Sequence, residues 1–178
     1  MNIPDSELFS TASAMLIDGA EGPDDILARL TPLQRDLISM QQLLIEGKLA
    51  EAVTISEELL SRSRSTFERD AEAEVRIRIE RALLAADGND KSGIELRWCT
   101  DRLNAMMPGS SLHGISMLNL AAWHANNGEI MMSLAVHSDI SKNSGHPPEI
   151  RGLSRIEVAR MLAALSDFDP AMRHLWTA

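Results

Sequence analysis

The alternation of apolar and polar positions divides the chain into a series of helical stripes. The clearest is Leu112–Ala125, an almost wholly apolar run that stops at Asn126-Asn127-Gly128 before a second helical run begins with Glu129. Apolar residues on every side of a helix predict neighbours on several sides. Asn and Gly tolerate the left-handed backbone that ends a helix, so Gly128 is the expected turn of a tight antiparallel hairpin.

The remaining stripes follow the same rule. Residues 1–4 read as a loose end. A helix from Asp5 or Ser6 to about Asp18 carries Leu8, Ala12, Met15 and Leu16 on one face, and Gly19, Gly22 and Pro23 break it. A short helix to Leu30 comes next. Thr31 then caps and Pro32 opens a helix with Leu33, Leu37, Met40, Leu43 and Leu44 on its apolar side, ending at Gly47. Its successor, Lys48 to about Arg62, shows Leu49, Ala52, Val53, Ser56, Leu59 and Leu60. With Ser65 or Thr66 as cap, Phe67–Asp87 is expected to be the longest helix, burying Phe67, Ala71, Val75, Ile79, Ala82, Leu83 and Ala86. Its charged ladders, Glu68-Glu72-Arg76-Glu80 and Asp70-Glu74-Arg78, read as a solvated surface. After a Gly88-Asn89-Asp90 turn come helices over Lys91–Met107, Ser111–Asn126, Glu129–Lys142, Glu149–Ser166 and Pro170–Trp176. No stretch alternates as a strand would, so the predicted class is all-α.

The stripes recur. Turns at Gly47, Gly88, Gly128 and Asp167 are spaced by 41, 40 and 39 residues. Five positions after them stand Ala52, Gly93, Ser133 and Met172, the last becoming Ala171 if the register moves by one. A small residue there lets the second helix of a hairpin approach the first. The expected fold is an α-α superhelix of antiparallel helical hairpins with a period near 40. One domain, 1–178, holds N-terminal helices over 1–30 and hairpins over 32–63, 66–107, 111–144 and 148–176.

Asn119-Leu120-Ala121, then six residues, then Gly128-Glu129 and Ser133 resembles the motif of the tetratricopeptide family: Asn-Leu-Gly/Ala, a Gly-acid turn, and a small residue on the second helix. Leu43-Leu44 with Gly47-Lys48-Leu49-Ala50-Glu51-Ala52 is similar to the turn half of another unit. The resemblance spans roughly 32–176 and is weakest around Gly88, where Glu80 and Arg81 stand in place of small apolar residues. The period also exceeds the family's usual 34 residues; it resembles the longer-helix variety in sensor arms of bacterial transcriptional activators and peptide-sensing regulators. The resemblance implies a right-handed superhelix whose concave face, lined by the first helix of each hairpin, holds a peptide or partner helix. It also implies that Asn119 hydrogen-bonds the backbone of that peptide.

Charge changes the picture in one place. The net charge is −9, and residues 1–60 hold eleven acids against Arg29, Arg35 and Lys48, which leaves −1 for the rest. An acidic first third disfavours nucleic acid and suits a basic partner, though a solvated face that maintains solubility is the simpler account. Ten Met fill irregular gaps in a chain with only three Trp, three Phe and no Tyr. Cys99 is the sole cysteine, so it is expected to be a buried thiol without an intramolecular disulfide. No signal-like start and no membrane-length apolar run are visible, and the expectation is a soluble cytoplasmic protein with no membrane partner.

Candidate chemistry is confined to one helix face. Ser116, Asn119, Trp123 and Asn126 are three, four and three residues apart, which places them on one side of the Ser111–Asn126 helix as a partner-binding set. Inter-helix packing, with Asn119 satisfied by a neighbouring carbonyl, is the competing account. His113 and His124 share a face but lie about 16 Å apart along the helix, too far for one ion. His137 is on the next helix and His146 in a loop, so no metal is expected. No phosphate-cradling loop, His-Glu-x-x-His or nucleophile elbow occurs, so neither catalysis nor a cofactor is expected.

Leu153–Leu162 resembles the first helix of a helix-turn-helix, with Pro170–Trp176 as the second. The expected connection, Ala163–Asp169, is acidic and long for that motif, and Arg173 stands without a phosphate-binding cluster. The function expected is a non-catalytic adaptor or sensor module that binds a protein or peptide. A small DNA-associated regulator and a structural domain that homodimerises through Met- and Trp-bearing faces are the alternatives.

Overall fold

In the computed structural model the described residues are 5–17, 24–85 and 90–178. They form ten helices and no strand: α1 (Asp5–Ile17), α2 (Asp24–Arg29), α3 (Pro32–Ile45), α4 (Leu49–Ser63), α5 (Ala71–Leu84), α6 (Asp90–Met106), α7 (Ser111–Asn126), α8 (Ile130–Lys142), α9 (Pro148–Ala164) and α10 (Phe168–Trp176). The class is all-α, as the periodicity predicts. The loose end at 1–4, the break at Gly19, Gly22 and Pro23, and the turn at Gly88 lie outside the described residues.

The helices belong to two compact units, residues 1–84 with α1–α5 and residues 85–178 with α6–α10. In the first, α1 packs on α2 and α3, α3 on α4, and α4 on α5, while α3 also touches α5. Leu33, Leu37, Met40, Leu59 and Ile77 are the largest fully buried side chains of its core, with Phe9, Ala52 and Ala73 buried beside them. In the second unit, α6 through α10 each pack on the next, and α7 also touches α9. Leu96, Cys99, Leu103, Leu120, Ile140 and Val158 are buried there.

Three hairpin turns in the described residues share one backbone geometry. The Gly47, Gly128 and Ser166 residues sit at φ +76°, +78° and +63°. Each donates its N–H to the carbonyl three residues back (Leu44, Ala125, Ala163) at 3.0–3.1 Å, and the following residue donates to the carbonyl five back (Leu43, His124, Leu162) at 2.9 Å. That pair of bonds satisfies carbonyls orphaned at the helix end. The next helix starts two residues after each turn, and its fourth residue (Ala52, Ser133 and Ala171 by position) is in each case buried. Ala171, not the exposed Met172, is therefore the small residue of the last hairpin. Gly93 also permits a close approach: a Cβ there would stand 2.5 Å from the Trp123 ring.

Several expectations are corrected. The fifth helix begins at Ala71, not Phe67, and Phe67 is 96% exposed. Asp70 explains the shift, because its Oδ1 accepts from the Glu72 and Ala73 N–H groups, both at 3.0 Å, and so caps the helix there. The charged ladders are not a solvated surface. The Arg76 side chain is only 11% exposed; it is paired with Glu72 at 2.9 Å, donates to Ser10 Oγ, and lies 4.7 Å over the Phe9 ring. Packing along its aliphatic stem and aromatic neighbour explains an arginine in that position. On α4, Leu49 and Val53 are exposed, and the buried stripe is Ala52, Ser56, Leu59 and Ser63. Its serines donate to their own helix carbonyls, Val53 and Leu60, and therefore remain satisfied without water.

A polar chain crosses the first unit. Ser13 Oγ donates to Gln41 Oε1 at 2.9 Å, and Gln41 Nε2 donates to Glu80 Oε1 at 3.3 Å. Burial pushes the Glu80 carboxyl above its ordinary range, while the Gln41 hydrogen bond and the Arg76 charge partly offset that shift.

Two stability predictions follow from these sites. Ser166→Gly is expected to stabilise the protein by about 0.5–1 kcal/mol, and Gly128→Ala to cost a similar amount, because at both sites the left-handed backbone alone sets the preference. A Cβ at Gly128 meets nothing within 4 Å. Urea unfolding of the two variants checks both signs. For Glu80, a native pKa raised above 4.5 means that stability is lost as pH rises through that value. Glu80→Gln keeps an acceptor for Gln41 and is expected to raise the urea midpoint at pH 7, with the difference vanishing near pH 3.

Candidate functional site: a groove between α7, α8 and α9

Two successive hairpins, α7–α8 and α9–α10, place α7 beside α9 with α8 packed against both. Between them runs a groove of about 560 Å³. Its α7 wall carries Asn119 and Asn126 with Leu118, Ala122 and Ala125. The α9 wall carries Leu153, Glu157, Arg160, Met161 and Ala164, and Ser133 and His137 come from α8. Asn119 and Asn126 are two helical turns apart, about 10.5 Å along the axis. Opposite them Glu157 and Arg160 pair with each other at 2.8 Å on an exposed edge.

The four residues expected to share one face are divided by the fold. Asn119 and Asn126 line the groove. Ser116 is buried and shares a 2.9 Å hydrogen bond with Thr100 of α6. Trp123 packs on Gly93 of α6, with its Nε1 buried and unpartnered. The set covers an arc of about 80° on the helical wheel, wide enough for two neighbouring helices to divide it.

Sequence reasoning passed over the α9 wall. Leu153, Glu157, Arg160, Met161 and Ala164 recur at helical spacing, which was the available signal, but the segment resembled half of a helix-turn-helix. The link between α9 and α10 is only residues 165–167, shorter than the seven-residue connection expected. Even so, α10 folds back along α9: Arg155 donates to the Thr177 carbonyl, and the Ala178 carbonyl lies beside Gly152.

The groove's buried polar groups have defined states. Ser154 Oγ donates to the His137 carbonyl at 2.8 Å, so it has no second proton to offer His137 Nδ1, 3.1 Å away. His137 Nδ1 must therefore carry the proton, which leaves Nε2 an acceptor. Burial lowers the His137 pKa and keeps the ring neutral, against a smaller opposing effect of Glu157. Seven serines are buried among the described residues. Six of them hydrogen-bond within the protein. Ser133 Oγ, at the base of the groove, has no partner.

Away from the groove, His113 and His146 meet, with ring centroids 5.0 Å apart, although they are far apart in sequence. His113 Nδ1 accepts the Gly109 N–H at 3.1 Å, and burial, followed by the nearby His146, lowers its pKa. No group of three or more His, Cys, Asp or Glu side chains is arranged to hold a metal ion among the described residues. Nor is any described helix long and apolar enough to cross a membrane.

These features define an all-helical protein built of tightly turned hairpins. No protein-family model matches the chain, and neither a curated protein nor a solved structure matches it.

His113 and His137 make stability depend on pH. Each has a native pKa lowered from 6.5, so below that value the unfolded chain takes up protons that the native state resists. Stability is fully present above pH 6.5 and is expected to fall as pH drops toward 5. Urea midpoints between pH 7.5 and 5, with imidazole titrations by NMR, check this; both rings should titrate below 6.5.

Proposed function

We propose that the protein is a non-catalytic interaction module that binds an extended peptide or partner segment in the α7–α9 groove. The observation that carries this is the placement of Asn119 and Asn126 on one wall, facing apolar and charged side chains of α9 across an open channel. A carboxamide both donates and accepts, so it can pair with a peptide unit regardless of sequence. A separation of about 10.5 Å matches three residues of extended chain at 3.3 Å each. Ser133 adds a hydroxyl without a partner among the described residues. The groove's ionisable side chains are engaged with one another or with Ser154, which suits binding more than proton transfer.

The tetratricopeptide-like motif supports the same reading. In that arrangement the hairpins follow a superhelix with a period near 40, first helices line the concave side, and the module serves as an adaptor or a sensor arm of a regulator. The repeated turns at Gly47, Gly128 and Ser166 and the α7–α9 adjacency are what such an arrangement needs.

Selection from a displayed random-peptide library, followed by titration of the selected peptides, tests the proposal. Asn119→Ala/Asn126→Ala is expected to weaken binding at least tenfold, since each lost hydrogen-bond pair is worth about 1 kcal/mol or more. Ser133→Ala should weaken binding while leaving the urea midpoint unchanged or raised, because it deletes an unsatisfied group. Equal affinity for native and double-variant protein, or NMR shifts that map away from α7 and α9, would falsify the groove assignment.

A further inference from the structure

The outer face of α10 is apolar and uncovered. Phe168, Met172 and Trp176 follow one another at intervals of four residues and are 61%, 51% and 82% exposed, while Ala171 on the inner side is buried against α9. Three large side chains in one stripe are more than the scattered exposure of a solvated helix.

We propose that this stripe is a homodimer interface, occupied by α10 of a second copy of the chain running antiparallel. The pattern is self-complementary in two independent ways. The apolar residues are evenly spaced about Met172: a two-fold axis there brings Phe168 level with Trp176 of the second copy and sets Met172 against itself. An isologous contact requires this, since each surface must fit its own image. The charges supply the second match. Asp169 and Arg173 lie about 60° and 100° round the wheel from Met172, along the same edge of the stripe. Asp169 is about 4.5 Å to one side of Met172 along the axis, and Arg173 about 1.5 Å to the other. The two-fold carries Arg173 of the second copy to the Asp169 side, about 3 Å from level with it, within reach of an arginine. Two such pairs would lie along that edge of the apolar stripe, one on each side of the two-fold axis. Asp169 and Arg173 are both exposed, so both are available for this contact. A membrane surface is a poorer match: Arg173 is the sole Lys or Arg on α10, and the chain carries −9 overall.

Sedimentation equilibrium of the full chain over a range of concentrations tests the proposal. The mass is expected to rise from 19.6 kDa toward twice that value. Met172→Glu places like charges face to face and should hold the mass at 19.6 kDa, with unchanged helical circular dichroism because the site is exposed. Asp169→Arg should weaken dimerisation about tenfold, and Asp169→Arg/Arg173→Asp should restore it to within about threefold of native. A constant 19.6 kDa at every concentration overturns the proposal. So does dimerisation that survives Met172→Glu, or a reversed charge pair that recovers nothing while remaining helical. Binding of the monomer to phosphatidylcholine vesicles would instead assign the stripe to lipid. Asn119→Ala/Asn126→Ala should leave the mass curve unchanged, which keeps this test separate from the groove.

Discussion

The constraint behind much of this architecture is a single left-handed residue at the end of a helix. At Gly47, Gly128 and Ser166 the backbone reverses within a few residues and ties off two carbonyls as it does so. A reversal that tight brings the second helix against the first almost at once, which leaves little room on its first turn. Ala52, Ser133 and Ala171 stand there, and each is buried. Nothing touches the α-carbon side of Gly47 or Gly128, so the glycine is required by backbone conformation and not by packing. Ser166 shows that the geometry survives a side chain, at the cost of a strained dihedral angle.

The groove follows from repeating that unit. Once α8 returns along α7 and α10 along α9, α7 and α9 become neighbours, and side chains that are remote in sequence face one another. Asn119 and Glu157 are thirty-eight residues apart in the chain and line the same channel. The hairpin turn therefore acts on the groove at a distance: it sets the separation of the two walls, while residues on the walls set their polarity.

What was legible in the sequence was local. The apolar run of α7 foretold a helix with neighbours on several sides, and α6, α8 and α9 pack on it; Thr31 marks a helix start through a cap that needs only adjacent residues. The start of α5 was missed because periodicity admits Phe67, whereas the cap depends on which acid reaches two free N–H groups, and Asp70 does. Burial of Arg76 was missed for the opposite reason: its partners Phe9 and Ser10 are some sixty-six residues away. One wall of the candidate groove was half legible. Asn119 and Asn126 were readable from spacing, but the division of their helix face between α6 and the groove is a property of the neighbours. Likewise the pairing of His113 with His146 depends on how the α8–α9 link returns to α7.

Buried polar contacts give a further argument about which surface is used. Thr100 with Ser116 links α6 to α7, His137 with Ser154 links α8 to α9, and Ser13 with Gln41 links α1 to α3. Each ties a pair of helices at one height, where a sliding register would leave a buried donor or acceptor without its partner at a cost of about 1–3 kcal/mol. Apolar stripes alone, made of Leu, Ile, Ala and Met, tolerate such sliding far better. Against that background Ser133 is out of keeping. It is as buried as Ser116 and Ser154, yet its hydroxyl has no partner among the described residues. Alanine would fill the same space without leaving a polar group unpaired, as Ala52 and Ala171 do at the matching positions of the other hairpins. Of the three matching sites, the one that lies under the groove is the one that carries a hydroxyl.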